Sequence, residues 1–256
     1  GGLNIFNIAK KFSNARSSSF YSDISSLLTL TSRGTHVTFE RASNYRISEK
    51  FFELHNPQFS GELGGYLSFE KIKDRQIYVE DKLVSVGNSS ICLASSIIHN
   101  GEAIATFESQ VVHVDWNSRK AVPLPVWFTE KYREFMKISK IKFTTNMNKP
   151  NSSYSYSIKV SASDLDMNNH VNMAIYLRYC LDAGYMACKD GAYEGFEGDL
   201  LTYKVQKSSC LFFGESVLEA LLSVYTWEDS TQKNLIHFQI ENSDEKLVYF
   251  CSMWFH

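Results

Sequence analysis

The chain has 256 residues, enough for one large domain or two small ones with a real core. Hydrophobic residues make up 44% and aromatics 14%, which excludes a disordered chain, and with 4 prolines and 13 glycines no long flexible linker is indicated. The net charge of −2 and the lack of a Lys/Arg run argue against nucleic acid as a partner, and no apolar stretch approaches the roughly 18 residues of a membrane span.

The five cysteines (Cys92, Cys180, Cys188, Cys210, Cys251) are widely spaced and form no CxxC pair. That spacing favours a reduced compartment over a zinc site or a disulfide framework. The chain begins at Gly1, and residues 1–34 are basic at the start, with Lys10, Lys11 and Arg16, many serines and no acid before Asp23. Leu3, Ile5, Phe6, Ile8 and Phe12 are interleaved with them. An acid-poor, Ser-rich, partly amphipathic start reads as a mitochondrial or plastid targeting segment, and otherwise as an ordinary basic tail of a cytoplasmic protein.

From Thr35 the pattern turns to short β-rich runs. Thr35–Ile47 predicts a strand, and Phe69–Val86 a strand pair with apolar Ile77, Val79, Leu83, Val84 and Val86. Ser89–Ile98, Asn100-Gly101 and Ala103–Asp115 predict a hairpin, because Asn-Gly accepts the positive φ angles of a tight turn. Pro123 and Pro125 break the pattern. Thr129–Ser139 predicts a short helix capped by Thr129, with Tyr132, Phe135, Met136 and Ile138 on its apolar side.

After a loop at Lys149–Ser153 a second series begins with a strand at Tyr154–Ser161. Val171–Met186 predicts the best helix in the chain, with Val171, Ala174, Ile175, Leu177, Leu181 and Tyr185 on one apolar face and Asn168 or Asn169 as its cap. Leu200–Ser209, Glu215–Trp227, Leu235–Glu241 and Lys246–Phe255 predict four strands, the last two joined at Asn242–Glu245. The halves echo each other: Leu83-Val84-Ser85-Val86 matches Leu221-Leu222-Ser223-Val224, and a strand, a polar turn and a strand follow both. A repeat of this length indicates duplicated domains. Helices sit inside strand series instead of alternating with strands, so the expected class is α+β with antiparallel sheets. The expected domains are 35–127, a linker with a short helix at 128–150, and 151–256.

One segment concentrates polar chemistry: Asp164-Leu165-Asp166-Met167-Asn168-Asn169-His170-Val171-Asn172 lies between a strand and the start of the best helix. Backbone N–H groups at a helix start can hold a developing negative charge, and an adjacent Asp or His can activate water or attack. The same residues also serve as ordinary helix caps and turn formers.

This segment, with Ala174-Ile175-Tyr176-Leu177 after it, resembles the signature of the hotdog-fold thioesterases. It is most similar to the acyl-ACP thioesterases and the 4-hydroxybenzoyl-CoA-type thioesterases. Phe213-Gly214-Glu215-Ser216-Val217 resembles the Gly-Asp that opens a long strand in that group. The resemblance implies a tandem (double) hotdog, each unit a long helix wrapped by an antiparallel sheet. It also implies hydrolysis of an acyl thioester carried on CoA or acyl carrier protein, with no cofactor and no metal. Asp166, Asn168 and His170 match the family's catalytic positions, and Asn172 and Tyr176 lie where substrate contacts are expected.

There are departures. Met173 stands where the family has a second Asn. The Glu-Cys pair of the plant enzymes falls on Leu211 and Phe212, leaving Cys210 out of register and Glu215 beside it. Glu49–Gly65 is short and glycine-rich where a first-half helix is expected, so the resemblance implies at most one site per chain. Two readings follow: an acyl-thioester hydrolase acting alone or as a homodimer, or an inactive hotdog protein serving as a structural subunit of a larger organellar complex.

Overall fold

The computed structural model describes residues 5–10, 36–54, 77–137, 147–166 and 168–256. They fall into two compact units, Phe12–Lys142 and, separately, Phe143–His256 together with Gly1–Lys11. Both are antiparallel sheets with few helices, in agreement with the α+β expectation.

The first unit contains β1 (His36–Ile47), α1 (Glu49–Leu54), β2 (Ile77–Val86), β3 (Ser90–His99), β4 (Glu102–Asp115) and α2 (Val126–Lys131). Its strands pair in the order β2-β3-β4-β1. The β3–β4 turn is made by Asn100 and Gly101, with φ of 51° and 80°, the pairing that Asn-Gly favours. Of the strand pair expected at Phe69–Val86, the described residues hold one strand, β2, and residues 69–76 lie outside them.

The expected helix at Thr129–Ser139 starts earlier. Pro125 occupies the N-cap position with φ −55°, and Thr129 lies inside α2, where its hydroxyl donates to the Val126 carbonyl. Proline fixes φ and needs no donor at a helix start, so it outcompetes Thr129. A 3-10 turn over Arg133–Lys137 continues the segment, and Ile138 lies outside the described residues. Phe128 is buried against Val86, Ile91, Leu93 and Leu124, with Tyr132 and Phe135 packed beside it. Burying a side chain like Phe128 stabilises by about 1.5–3 kcal/mol.

The second unit contains β5 (Tyr154–Lys159), α3 (Met173–Lys189), β6 (Val205–Phe212), β7 (Leu221–Glu228), β8 (Leu235–Asn242) and β9 (Leu247–Phe255). Its strands pair in the order β6-β9-β8-β7-β5. Helix α3 packs on β5, β7 and β9. Ala174, Leu177, Leu181, Ala183, Gly184 and Ala187 are buried, so small residues bring the helix axis close to the strands. Residues 5–10 are helical and group with this unit, with Ile5, Ile8 and Ala9 buried.

Two strand starts were expected too early. Leu200–Thr202 forms a 3-10 turn, with Asp199 accepting from the Leu201 N–H, before β6 begins at Val205. Residues 215–220 form a loop before β7. There the Glu219 N–H donates to the Val160 carbonyl and Glu219 takes a φ of 63°, which no regular strand permits. The turn expected at Asn242–Glu245 is present, with the Asn242 side chain accepting from the Asp244 and Lys246 N–H groups.

The two sheets share an order. The β2-β3-β4 meander carries β1 beside β4, and the β7-β8-β9 meander carries β6 beside β9. The matched tetrapeptides lie on β2 and β7, the first strand of each meander. By this correspondence β1 takes the place of β6, and Glu49–Gly65 follows the counterpart of β6, not the counterpart of β5. Residues 55–65 of that segment lie outside the described residues. Among the described residues no helix is long and apolar enough to cross a membrane.

Candidate active site

The motif segment forms a closed loop between β5 and α3. Leu165 and Val171 make an isolated antiparallel bridge, and the Asp166 N–H donates to the His170 carbonyl at 2.9 Å. Within this loop Asp166 Oδ1 accepts from the Asn168 N–H at 2.8 Å and from the His170 N–H at 3.4 Å. An Asp that bonds the backbone two residues on makes such a turn without tertiary help. The Asn169 N–H donates to the Asp166 carbonyl, and Asn169 takes a φ of 61°, which Asn tolerates better than most residues. Met167 lies outside the described residues.

Helix α3 then starts at Met173. Its N-cap is Asn172, whose side-chain oxygen accepts from the Ala174 N–H at 3.0 Å. The expected caps, Asn168 and Asn169, are engaged in the loop instead, four and three residues upstream of the cap. Asn172, where a substrate contact is expected, caps the helix through its side-chain oxygen.

Below the loop, Asp164 is 2% exposed and acts as a clamp. One of its oxygens accepts from the Arg178 guanidinium at 2.5 Å. The other accepts from the Tyr179 hydroxyl at 2.7 Å and from the Ser161 N–H at 2.9 Å. Its carbonyl accepts from the Asn172 N–H. These bonds fix the first turns of α3 against the loop. Burial and the neighbouring Asp164 carboxylate hold the Tyr179 hydroxyl well above its ordinary pKa, so it stays a donor.

From the other side the loop after β6 closes over the motif. The Ser216 carbonyl accepts from the Val171 N–H, and its hydroxyl accepts from the Tyr176 hydroxyl at 3.1 Å. Glu215 Oε2 lies 3.3 Å from His170 Nε2. Tyr176 is 3% exposed. Burial pushes its pKa up to about 12, and the carboxylates of Glu215 and Asp166 push the same way. The structure thus brings Asp166, His170 and Tyr176 together and adds Glu215 and Ser216, while Asn168 sits half-buried at the loop tip.

Cys210 does not join them. It pairs across β6 and β9 with Cys251, Sγ to Sγ 3.5 Å, at 1% exposure, and burial pushes its thiol well up. The thiolate is the reactive form, so this cysteine is inert. Glu215 reads in the sequence as the start of a strand, and the structure places it in a loop beside His170. A Gly-Glu in a loop after a strand was the signal for it. Among the described residues no group of three or more His, Cys, Asp or Glu side chains could hold a metal ion.

Residues 147–190 match the acyl-ACP thioesterase C-terminal domain model, a stretch that spans β5, the loop and α3. Among solved structures, an acyl-ACP thioesterase from Bacteroides thetaiotaomicron superposes with a TM-score of 0.67 at 15% identity, over 100% of this chain and 91% of that one. The 12:0-ACP thioesterase of Umbellularia californica gives 0.69 at 13% identity, over 100% and 90%. No curated protein matches by sequence. The motif segment and the fold together bear out the resemblance to the acyl-ACP and hotdog thioesterases.

Proposed function

We propose that this chain hydrolyses acyl thioesters carried on CoA or acyl carrier protein, with its two units serving as tandem hotdogs and α3 as the long helix of the second. The observation that carries the reading is the His170–Glu215 pair set beside the Asp166 turn at the start of α3. The thioester carbonyl sits over the helix start. Met173 is the first helical residue, and its N–H has no acceptor within the helix, so it is suited to a developing oxyanion. The backbone does this work, which tolerates Met in place of the family's second Asn.

Asp166 spends Oδ1 on the turn, and Oδ2 is the oxygen that takes a proton from water. Water oxygen bonds to the carbonyl carbon, and the carbon–sulfur bond then breaks. His170, held by Glu215, delivers the proton to the departing sulfur, giving a carboxylic acid and a free thiol. Asn168 orients the water, and Tyr176 supports Ser216 and thereby the loop bearing Glu215.

Hydrolysis of acyl-CoA and acyl carrier protein thioesters by the purified chain, followed by thiol release, tests this reading. Turnover lost in His170→Ala with folding intact supports it, and a folded wild-type protein that releases no thiol from any ester defeats it.

A further inference from the structure

We propose that β5 is an association edge, along which a second copy of this chain lays its own β5 antiparallel about a two-fold axis at Tyr156. Pairing at this edge is independent of the chemistry at the motif loop.

Among the described residues β5 bonds to one strand, β7. At its end the Val160 N–H donates to the Ala220 carbonyl, and the Val160 carbonyl accepts from the Glu219 N–H. Backbone direction alternates along an antiparallel strand, so Ile158, Tyr156 and Tyr154 also turn their N–H and C=O groups to β7. Ser155, Ser157 and Lys159 turn theirs outward. A row of donors and acceptors facing outward is a template for one more strand.

The core stops short at this edge. On β7, Leu222, Val224 and Thr226 are at most 1% exposed. Their partners on β5, Ile158, Tyr156 and Tyr154, are only half-buried. Beyond the Lys159 end, Val217, Leu218 and Leu221 are 52%, 49% and 61% exposed, which adds apolar surface beside the strand. Strand β2 also bonds to one strand among the described residues, but it is guarded. It carries Glu80, Asp81 and Lys82 at its centre and a register shift between Leu83 and Ser85. Charges and bulges of this kind turn a further strand away. β5 has no register shift, no proline and one charge, at its end.

The occupant is a second copy because β5 complements itself. With the axis at Tyr156, Ser155 falls opposite Ser157 of the second copy, and the outward backbone groups of both are the ones that bond. Tyr154 falls opposite Ile158, which completes the half-buried row from both sides. Lys159 falls opposite Ser153, so no like charges meet. Each chain offers this edge once, so the pair closes as a dimer and does not extend into a fibre.

Sedimentation velocity of the full-length protein over a concentration series tests this. The wild type is expected to dimerise in the micromolar range, as suits a small interface. Ser157→Pro deletes one outward N–H and no bond to β7, a change that an edge strand tolerates. The double variant Ser155→Lys/Ser157→Lys sets lysine opposite lysine across the axis and serves if the proline variant does not fold. Each change acts twice in the dimer, so the dissociation constant is expected to rise at least about tenfold. A wild type that stays monomeric at about 200 µM overturns the pairing of two copies and leaves the edge to a strand of another protein. A dimer whose dissociation constant is unchanged in a folded variant overturns it as well, by placing the contact on another surface.

Discussion

His170 Nε2 faces Glu215 Oε2 at 3.3 Å, joining a residue of the motif loop to one of the loop after β6. The two lie 45 positions apart in the chain, and it is sheet pairing that delivers them to one place. A carboxylate on one ring nitrogen of an imidazole fixes the orientation of the ring. Glu215→Gln keeps the size of the side chain and removes the charge. Turnover of acyl thioesters is expected to fall about 10²-fold or more. Steady-state kinetics checks this.

Asp166 carries two separable roles. Its Oδ1 accepts from two backbone N–H groups, and an Asn side chain can still do so. Asp166→Asn is therefore expected to unfold within about 0.5 kcal/mol of the wild type, while Asp166→Ala loses about 1–2 kcal/mol. Both are expected to lose at least about 10²-fold in turnover, since neither can take a proton. Chemical denaturation beside thiol-release kinetics separates the two effects.

Asp164 is structural, although it stands two residues from Asp166. Asp164→Ala leaves the Arg178 guanidinium and the Tyr179 hydroxyl without their shared acceptor. The expected cost is about 3 kcal/mol, because removal of one member of a buried pair strands the other. A thermal melt reads it directly, and Asp164→Asn is expected to recover part of the loss.

Acid acts on the two units in different windows. In the first, burial lowers the pKa of His113, whose Nδ1 donates to the Pro123 carbonyl and whose ring stacks on His36. The unfolded chain binds this proton more readily, so stability falls as pH drops below about 6.5. In the second, the His237 side chain and Thr231 hold the Asp229 carboxylate well below its ordinary value. That contribution is present above about pH 4 and is lost as pH falls further through the folded value. His113→Gln is expected to flatten the first decline and leave the second. Tm measured across pH, for wild type and variant, shows whether it does.

All five cysteines are buried and free. The native protein is expected to resist alkylation until it is unfolded, and Cys210→Ala to keep turnover within about threefold of wild type. Loss of activity in a folded Cys210→Ala would return that thiol to the site.

Local chemistry made much of this molecule readable. The Asn100-Gly101 turn and the alternation of β5 follow from residue spacing, and the motif loop closes on its own Asp166 turn. Of the expected apolar face of α3, Ala174, Leu177 and Leu181 are buried while Ile175 and Tyr185 are half-buried, and Tyr176, Tyr179 and Cys180 join the buried face. What local spacing could not supply is which distant groups meet. Asn168, Asn169 and Asn172 are chemically equivalent as caps, and the choice of Asn172 is made by Asp166, which ties the first two into a turn, and by Asp164, which holds the Asn172 N–H. Glu215 reads as a strand start until Glu219 bonds back to Val160 and turns residues 215–220 into a loop. The helix at α2 shifted because Pro125 outranks Thr129 as a starting residue. Each of these depends on a competition between two local preferences that packing resolves.

The most direct test of the central claim is thiol release from butyryl-CoA and from butyryl-acyl carrier protein by the wild-type chain, run beside Asp166→Asn and Glu215→Gln. Turnover by the wild type that falls by about 10²-fold or more in both folded variants is the expected result. Wild-type turnover that survives in both variants would place the chemistry elsewhere in the molecule, and a folded wild type without any turnover would contradict the hydrolase reading itself.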